Sequence, residues 1–396
     1  MVQSAPDRYV AREIEREIRA AAAQFPALAV TGMRQTGKTT LIRRVFPAAE
    51  YVTLDDPLEC QSAREDPRTF LTRAPQLIID EIQALPELLP HIKIAADGQR
   101  RASGRFLLTG SQVFPLMSGL AESLAGRVSV HRLHPLSCAE MKWRGGLPPD
   151  NFQKIFNGFY PEVAVHGADR HRFFAAYVQT YLERDLRLLA AVHDLRLFQT
   201  FVELLAARVG GLLNLSEISK EAGVSFSTAQ RWLSLLESAG LVFLLRPWSR
   251  NLTRRATKSP KLYFGDTGLA AWLLRYHDSE TLRHGPQSGA LFENFVILEC
   301  LKRKANRGLN CEFYFYRDSN ANEIDLIADC GFEVALFEIK QTATPQPQHF
   351  KILGRLLPLF PNATGYVVSQ TPRRRQFVER LLSLPVHEAP DVLGKG

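Results

Sequence analysis

Gly32, Gly37, Lys38 and Thr39 have types and spacing that already specify a chemistry. They frame the run Gly32, Met33, Arg34, Gln35, Thr36, Gly37, Lys38, Thr39, which fits G-x-x-x-x-G-K-[ST] at every fixed position, with Thr40 next in line. The glycines permit a backbone path that turns N–H groups toward phosphate oxygens. The lysine reaches the β- and γ-phosphates, and the threonine hydroxyl ligates Mg²⁺. A helix starting here adds the positive end of its dipole. ATP and Mg²⁺ are therefore the expected cofactors.

A second set belongs with it. Asp80 and Glu81 end the apolar run LIIDE, so a strand would deliver both acids to one edge. Asp80 suits a magnesium ligand, and Glu81 a base that orients and deprotonates a water. FLLTGS is another apolar run, ending in Thr109 and Ser111, either of which could sense a γ-phosphate. Arg127 suits a charge-stabilising arginine, supplied in cis or by a neighbouring subunit, or equally a surface salt bridge.

A third set lies near the C-terminus. Asp325 sits in NEIDLIAD, and Glu338 and Lys340 sit two apart in EVALFEIK, on one face of the expected strand. Glu293 is carried by a preceding helix. Asp325 and Glu338, supported by Glu293, could bind a divalent cation while Lys340 steadies the attacking water or developing phosphorane charge. The competing reading is a buried ion pair on a scaffold that only binds.

These residues need elements to position them. Ala27–Val30, LIID and FLLTG have the short, fully apolar character of buried parallel strands, and the run after Lys38 reads as a helix. Residues 198–245 change to helices with short turns. Ser216 and Ser225 are candidate caps around Gly223, and a helix carrying Trp232, Leu233, Leu235 and Leu236 inward would present Ser227, Thr228, Gln230 and Arg231 outward. LVFLL and KLYF follow as two strands of a wing, giving a helix-turn-helix layout suited to a DNA backbone.

Composition bounds the class. The chain has 396 residues, 45% apolar, which predicts two or three packed domains. No run of eighteen apolar residues exists and the N-terminus has no signal-like apolar stretch, so the expectation is a cytoplasmic protein away from membranes. Cys60, Cys138, Cys300, Cys311 and Cys330 are scattered and read as reduced thiols. The net charge is +8, and residues 246–261 hold six basic residues and no acidic one. That surface suits a polyanion, or is a solvated loop.

The motifs TGMRQTGKTTL, LIIDEIQ, FLLTGSQ and LAGRV…LHPLS, followed by YLERDL, SPKLYFGDTGLAAWLL, LFENFV and FEIK, resemble a group of AAA-superfamily ATPases of bacteria and archaea. In that group the ATPase is fused to a C-terminal region of unknown function, and the resemblance covers nearly the whole chain. It implies an α/β P-loop fold, with Lys38 and Thr39 in the phosphate site, Asp80 and Glu81 as the acidic pair, and Thr109 or Ser111 as sensor. The D…E-x-K pattern resembles the restriction-endonuclease-like fold. The expected organisation is a P-loop AAA-type domain over residues 1–135, a helical lid and winged-helix region over 136–275, and a small α/β restriction-endonuclease-like domain over 276–396. The expected partners are duplex DNA, or alternatively a protein switched slowly by ATP, with a homo-oligomer if Arg127 acts in trans.

Overall fold

The computed structural model describes residues 9–98, 103–110, 124–180, 195–248, 259–318, 320, 322–360 and 362–394. The chain divides into two compact units. One is Met1–Leu136 with Ser238–Gly240 and Ala305–Arg307, and the other comprises Ser137–Glu237, Leu241–Lys304 and Gly308–Gly396.

The first unit is built on a five-stranded sheet of β1 (Ala27–Thr31), β2 (Glu50–Thr53), β3 (Leu77–Asp80), β4 (Phe106–Gly110) and β5 (Val128–Arg132). The order is β2-β3-β4-β1-β5, and every pairing is parallel. Parallel strands need both faces covered, which is why β1, β3 and β4 are apolar without alternation. Ala27, Ala29, Leu77, Ile79, Phe106 and Leu108 face one core. Leu28, Val30, Ile78 and Leu107 face the other, against α1 (Glu15–Ala22) and α2 (Lys38–Val45). Burying each leucine, isoleucine, valine or phenylalanine among them contributes about 1.5–3 kcal/mol. The polar residues that end these strands are thus held at one sheet edge by a rigid core.

The second unit begins with a helical region, including Leu195–Ala207, Leu215–Glu221 and Phe226–Ser238. The last two are joined by a short turn in which Gly223 has φ +70°. Ser225 Oγ accepts from Thr228 N at 3.1 Å and caps the second helix as expected. Ser216 does not cap the first. Asn214 does, accepting from Glu217 N, because the helix begins two residues earlier than the serine would place it.

The unit's sheet is mixed, eight strands in the order β12-β13-β11-β10-β9-β8-β6-β7. The members are β6 (Val242–Pro247), β7 (Lys261–Phe264), β8 (Glu312–Arg317), β9 (Glu323–Asp329), β10 (Val334–Ile339), β11 (Ala363–Ser369), β12 (Arg375–Val378) and β13 (Leu381–Pro385). β6 and β7 form the antiparallel pair that the sequence suggests, and β6 also pairs parallel to β8.

Cys311 and Cys330 form a disulfide, correcting the reading of five reduced thiols. They follow the β8/β9 register, one step beyond Glu312↔Asp329, with Cα atoms 4.0 Å apart. Strand register, invisible in cysteine spacing, makes them neighbours. Cys60, Cys138 and Cys300 are free. Among the described residues, no helix is long and apolar enough to cross a membrane.

Candidate nucleotide site and C-terminal acidic cluster

β1 runs straight into the phosphate-binding loop. Gly32 has φ +144°, and a Cβ there would lie 2.2 Å from the Leu133 carbonyl oxygen, so no side chain fits. Gly37 has φ +89° and stands at the start of α2. Thr36 is fully buried, its hydroxyl donating to the Met33 carbonyl at 2.9 Å. Gln35 also has positive φ. Met33 is buried, Arg34 half-buried, and Thr40 exposed.

Lys38 is buried, and its ammonium donates to the carbonyls of Gly32 at 3.2 Å and Met33 at 2.9 Å. Burial lowers its pKa to about 8, against the pull of Glu81 and Asp80. A cation held at this cost at a helix N-terminus is suited to an anion.

The acidic partner is Asp80. Thr39 Oγ1 lies 3.0 Å from both its oxygens, Tyr51 donates to Oδ2 at 2.9 Å, and Thr109 donates to Oδ1. The strand order explains this convergence. β4 lies between β1 and β3, so Thr109 stands between the loop and the acid. Among the described residues, Tyr51 was not foreseen from sequence. Its strand is half-buried and carries no motif, and only the β2/β3 pairing brings it to Asp80.

Arg12 was also missed. It is buried, donating from Nη1 to the Thr36 carbonyl at 2.9 Å and from Nη2 to the His134 carbonyl at 2.7 Å, and so braces the loop against the segment after β5.

Glu81 has φ 53° and ψ 45°, the left-handed region, which is uncommon for a non-glycine residue and clusters at functional positions. Its carboxylate accepts from Gln83 Nε2. Arg127 pairs with Asp97, Nε to Oδ1 at 2.6 Å and Nη2 to Oδ2 at 3.1 Å. Ser111 lies outside the described residues.

Asp80 with the Thr39 hydroxyl beside it is a donor set that fits Mg²⁺, a hard cation taking carboxylate and hydroxyl oxygen. Lys38 and the loop amides fit the phosphates of ATP.

In the second unit, Glu338 stands opposite Asp325, one step beyond the Phe337↔Leu326 pair of β9 and β10. Asp325 Oδ2 accepts from Ile339 N at 2.7 Å, and Lys340 Nζ is 2.7 Å from Glu338 Oε1 and 3.6 Å from Asp325 Oδ2. Glu293, from the helix Ser288–Asn306, accepts from Tyr263 and from Lys261 Nζ, the latter at 2.9 Å. Burial, and then Asp325, raise the pKa of both Glu293 and Glu338 to about 7. Asp325, Glu338, Lys340 and Glu293 are therefore brought into one neighbourhood, together with Lys261, to which the sequence reading gives no role at this site. A lysine opening the apolar strand KLYF was the available signal, because a buried charge requires a partner.

The 2-3-4-1-5 parallel sheet, with its phosphate loop after β1, its acid on β3 and its threonine on β4, defines a P-loop ATPase fold of the AAA type. Residues 24–142 match the family model described as an AAA domain, residues 149–280 a domain of unknown function (DUF8612), and residues 288–388 another (DUF4143). The chain belongs to the same family as the uncharacterized protein Rv2008c of Mycobacterium tuberculosis. The two are 34% identical over 344 residues, 84% of this chain and 74% of the relative, and Mb2031c of Mycobacterium bovis matches equally. Among solved structures, the Walker-type ATPase PABY2304 of Pyrococcus abyssi is similar at 15% identity and a TM-score of 0.45, over 67% of this chain and 95% of that one.

Proposed function

We propose that this chain binds and hydrolyses Mg·ATP and uses the nucleotide state to control its hold on duplex DNA. The convergence of Thr39, Tyr51 and Thr109 on Asp80, beside the buried Lys38, carries the reading. In it Lys38 and the amides of the 32–40 loop hold the phosphates, while Thr39 and Asp80 hold the magnesium. The metal, when bound, would neutralise charge on the phosphoryl oxygens. Glu81 orients and deprotonates the attacking water, and Thr109 or Ser111 reports the γ-phosphate through Asp80's surroundings. Arg127 would have to leave Asp97 to act on a nucleotide, in cis or in a neighbouring subunit of a homo-oligomer.

The DNA side rests on the helix pair Leu215–Glu221 and Phe226–Ser238, followed by the β6/β7 hairpin, a winged-helix order. Ser225, Phe226, Ser227, Gln230 and Arg231 are exposed along one side of the second helix, and Arg246, Arg250, Arg254, Arg255 and Lys258 supply basic charge in the sequence that follows.

The second reading, an ATP-driven switch acting on a protein partner with an inert C-terminal fold, is favoured by the Lys261 ammonium among the C-terminal acids. Steady-state ATP hydrolysis with and without Mg²⁺ and duplex DNA, beside Lys38→Ala and Glu81→Gln, separates them. A Lys38-dependent rate raised by DNA supports the first reading. A rate indifferent to DNA supports the second, and ATP binding without turnover overturns both.

A further inference from the structure

Lys261 opens β7, and its side chain is 3% exposed. Its ammonium is 2.9 Å from Glu293 Oε1, is paired with Glu323, and is 3.8 Å from Asp325 Oδ1. A helix and one strand, β9, therefore aim three carboxylates at one ammonium. The other side of the cluster is closed too, because Asp325 Oδ2 faces the Ile339 amide and Lys340, and Glu338 Oε1 is held by Lys340. Tyr263 donates to the same Glu293 oxygen that Lys261 holds.

The D…E-x-K resemblance implies a divalent cation here, and these residues do not fit one. Glu338 Oε2 is the one oxygen of Asp325, Glu338 and Glu293 that is buried without a hydrogen-bond partner. A hard divalent ion needs about six oxygen ligands, and an ammonium already held by these carboxylates both occupies them and repels a second cation. Among the described residues, no three His, Cys, Asp or Glu side chains are gathered to hold a metal.

We propose that Lys261 is the resident cation of this acidic cluster and excludes a divalent metal, so that Asp325, Glu338 and Lys340 form a closed ion-pair network and not a phosphodiester-cleaving centre. The lysine is tethered, so no cation in solution competes with it on equal terms. Removing it would leave Glu293, Glu323 and Asp325 without their shared cation. The cluster lies in the second compact unit.

The test is Mn²⁺ binding to the nucleotide-free full chain, followed by electron paramagnetic resonance, for wild type, Asp325→Asn, Lys261→Met and the double variant. Wild type and Asp325→Asn should bind alike. Lys261→Met should gain a site at least about tenfold tighter, which the added Asp325→Asn removes. An Asp325-dependent Mn²⁺ site in wild type, or no gain in folded Lys261→Met, overturns the proposal. If Lys261→Met does not fold, the melting temperatures of wild type and Asp325→Asn with and without Mn²⁺ decide. An equal response supports the resident lysine, and a rise confined to wild type refutes it.

Discussion

The Tyr51 hydroxyl donates to Asp80 Oδ2 at 2.9 Å, from one strand to the next at the open edge of the parallel sheet. Hydrogen bonds to a charged group are worth about 1.5–3 kcal/mol. Asp80 keeps Thr39 and Thr109 when this donor goes. Tyr51→Phe should therefore destabilise the nucleotide-free protein by about 1–2 kcal/mol in urea unfolding, at the lower end of that range. Thr109→Val, which removes a fully buried donor, should cost more. Equal stability of wild type and Tyr51→Phe would remove Tyr51 from the site.

Lys38 has its pKa lowered from 10.5 to about 8, by burial first. Above that pH the free protein must take up a proton to present an ammonium to phosphate. Affinity for a non-hydrolysable ATP analogue should then fall as pH rises past 8, by up to about tenfold for each further pH unit. The nucleotide-free fold should change oppositely, gaining stability from about 8 toward 10.5, because burial favours the neutral lysine. Lys38→Met should abolish both trends, as read by calorimetric titration and melting at each pH.

Glu293 and Glu338 are raised from 4.5 to about 7, by burial and then by Asp325. A carboxylate raised in the folded state contributes stability that is complete below its unfolded value and is lost as pH rises through the folded one. Stability should thus decline between about pH 4.5 and 7, at roughly 1.4 kcal/mol for each pH unit between those two values, on the order of a few kcal/mol for the interacting pair. Glu338→Gln should flatten that slope in denaturant titrations at successive pH values. An unchanged slope would mean that the pair ionises normally.

The Cys311–Cys330 bond spans 19 residues. Closing a loop of that size restricts the unfolded chain by about 3 kcal/mol in the chain-entropy account. Cys311→Ser, or reduction by dithiothreitol, should lower stability by about 2–4 kcal/mol. Thiol counting by mass spectrometry before and after reduction checks that the bond forms, and five free thiols in the unreduced protein would contradict it.

How far the sequence speaks differs between the two sites. At the nucleotide site the chemistry is local. Gly32 to Thr39 are consecutive, Asp80 ends an apolar strand, and Thr109 ends another, so motif and periodicity name them directly. Tyr51 and Arg12 are silent because their partners lie 29 and 24 residues away and depend on strand order and on packing of the N-terminal segment. The helix caps near 214 and 225 divide in the same way. Ser225 is legible from the turn before it, whereas Asn214 displaces Ser216 because the true start of a helix is set by where its backbone first turns.

At the C-terminal cluster the acids were legible and the lysine among them was not. Asp325, Glu338 and Lys340 follow from strand alternation. Lys261 arrives from β7, 64 residues before Asp325 (325 − 261), through hairpin pairing and a sheet that joins β6 to β8. The pairing of Cys311 with Cys330 is likewise a matter of register. By itself the sequence determined the P-loop and the strand ends that carry Asp80 and Thr109, because each is written in adjacent residues with a fixed local geometry. Only the tertiary structure decided what surrounds the acids. Electrostatics depends on distance in space, and long-range strand pairing sets which charges end a few ångströms apart.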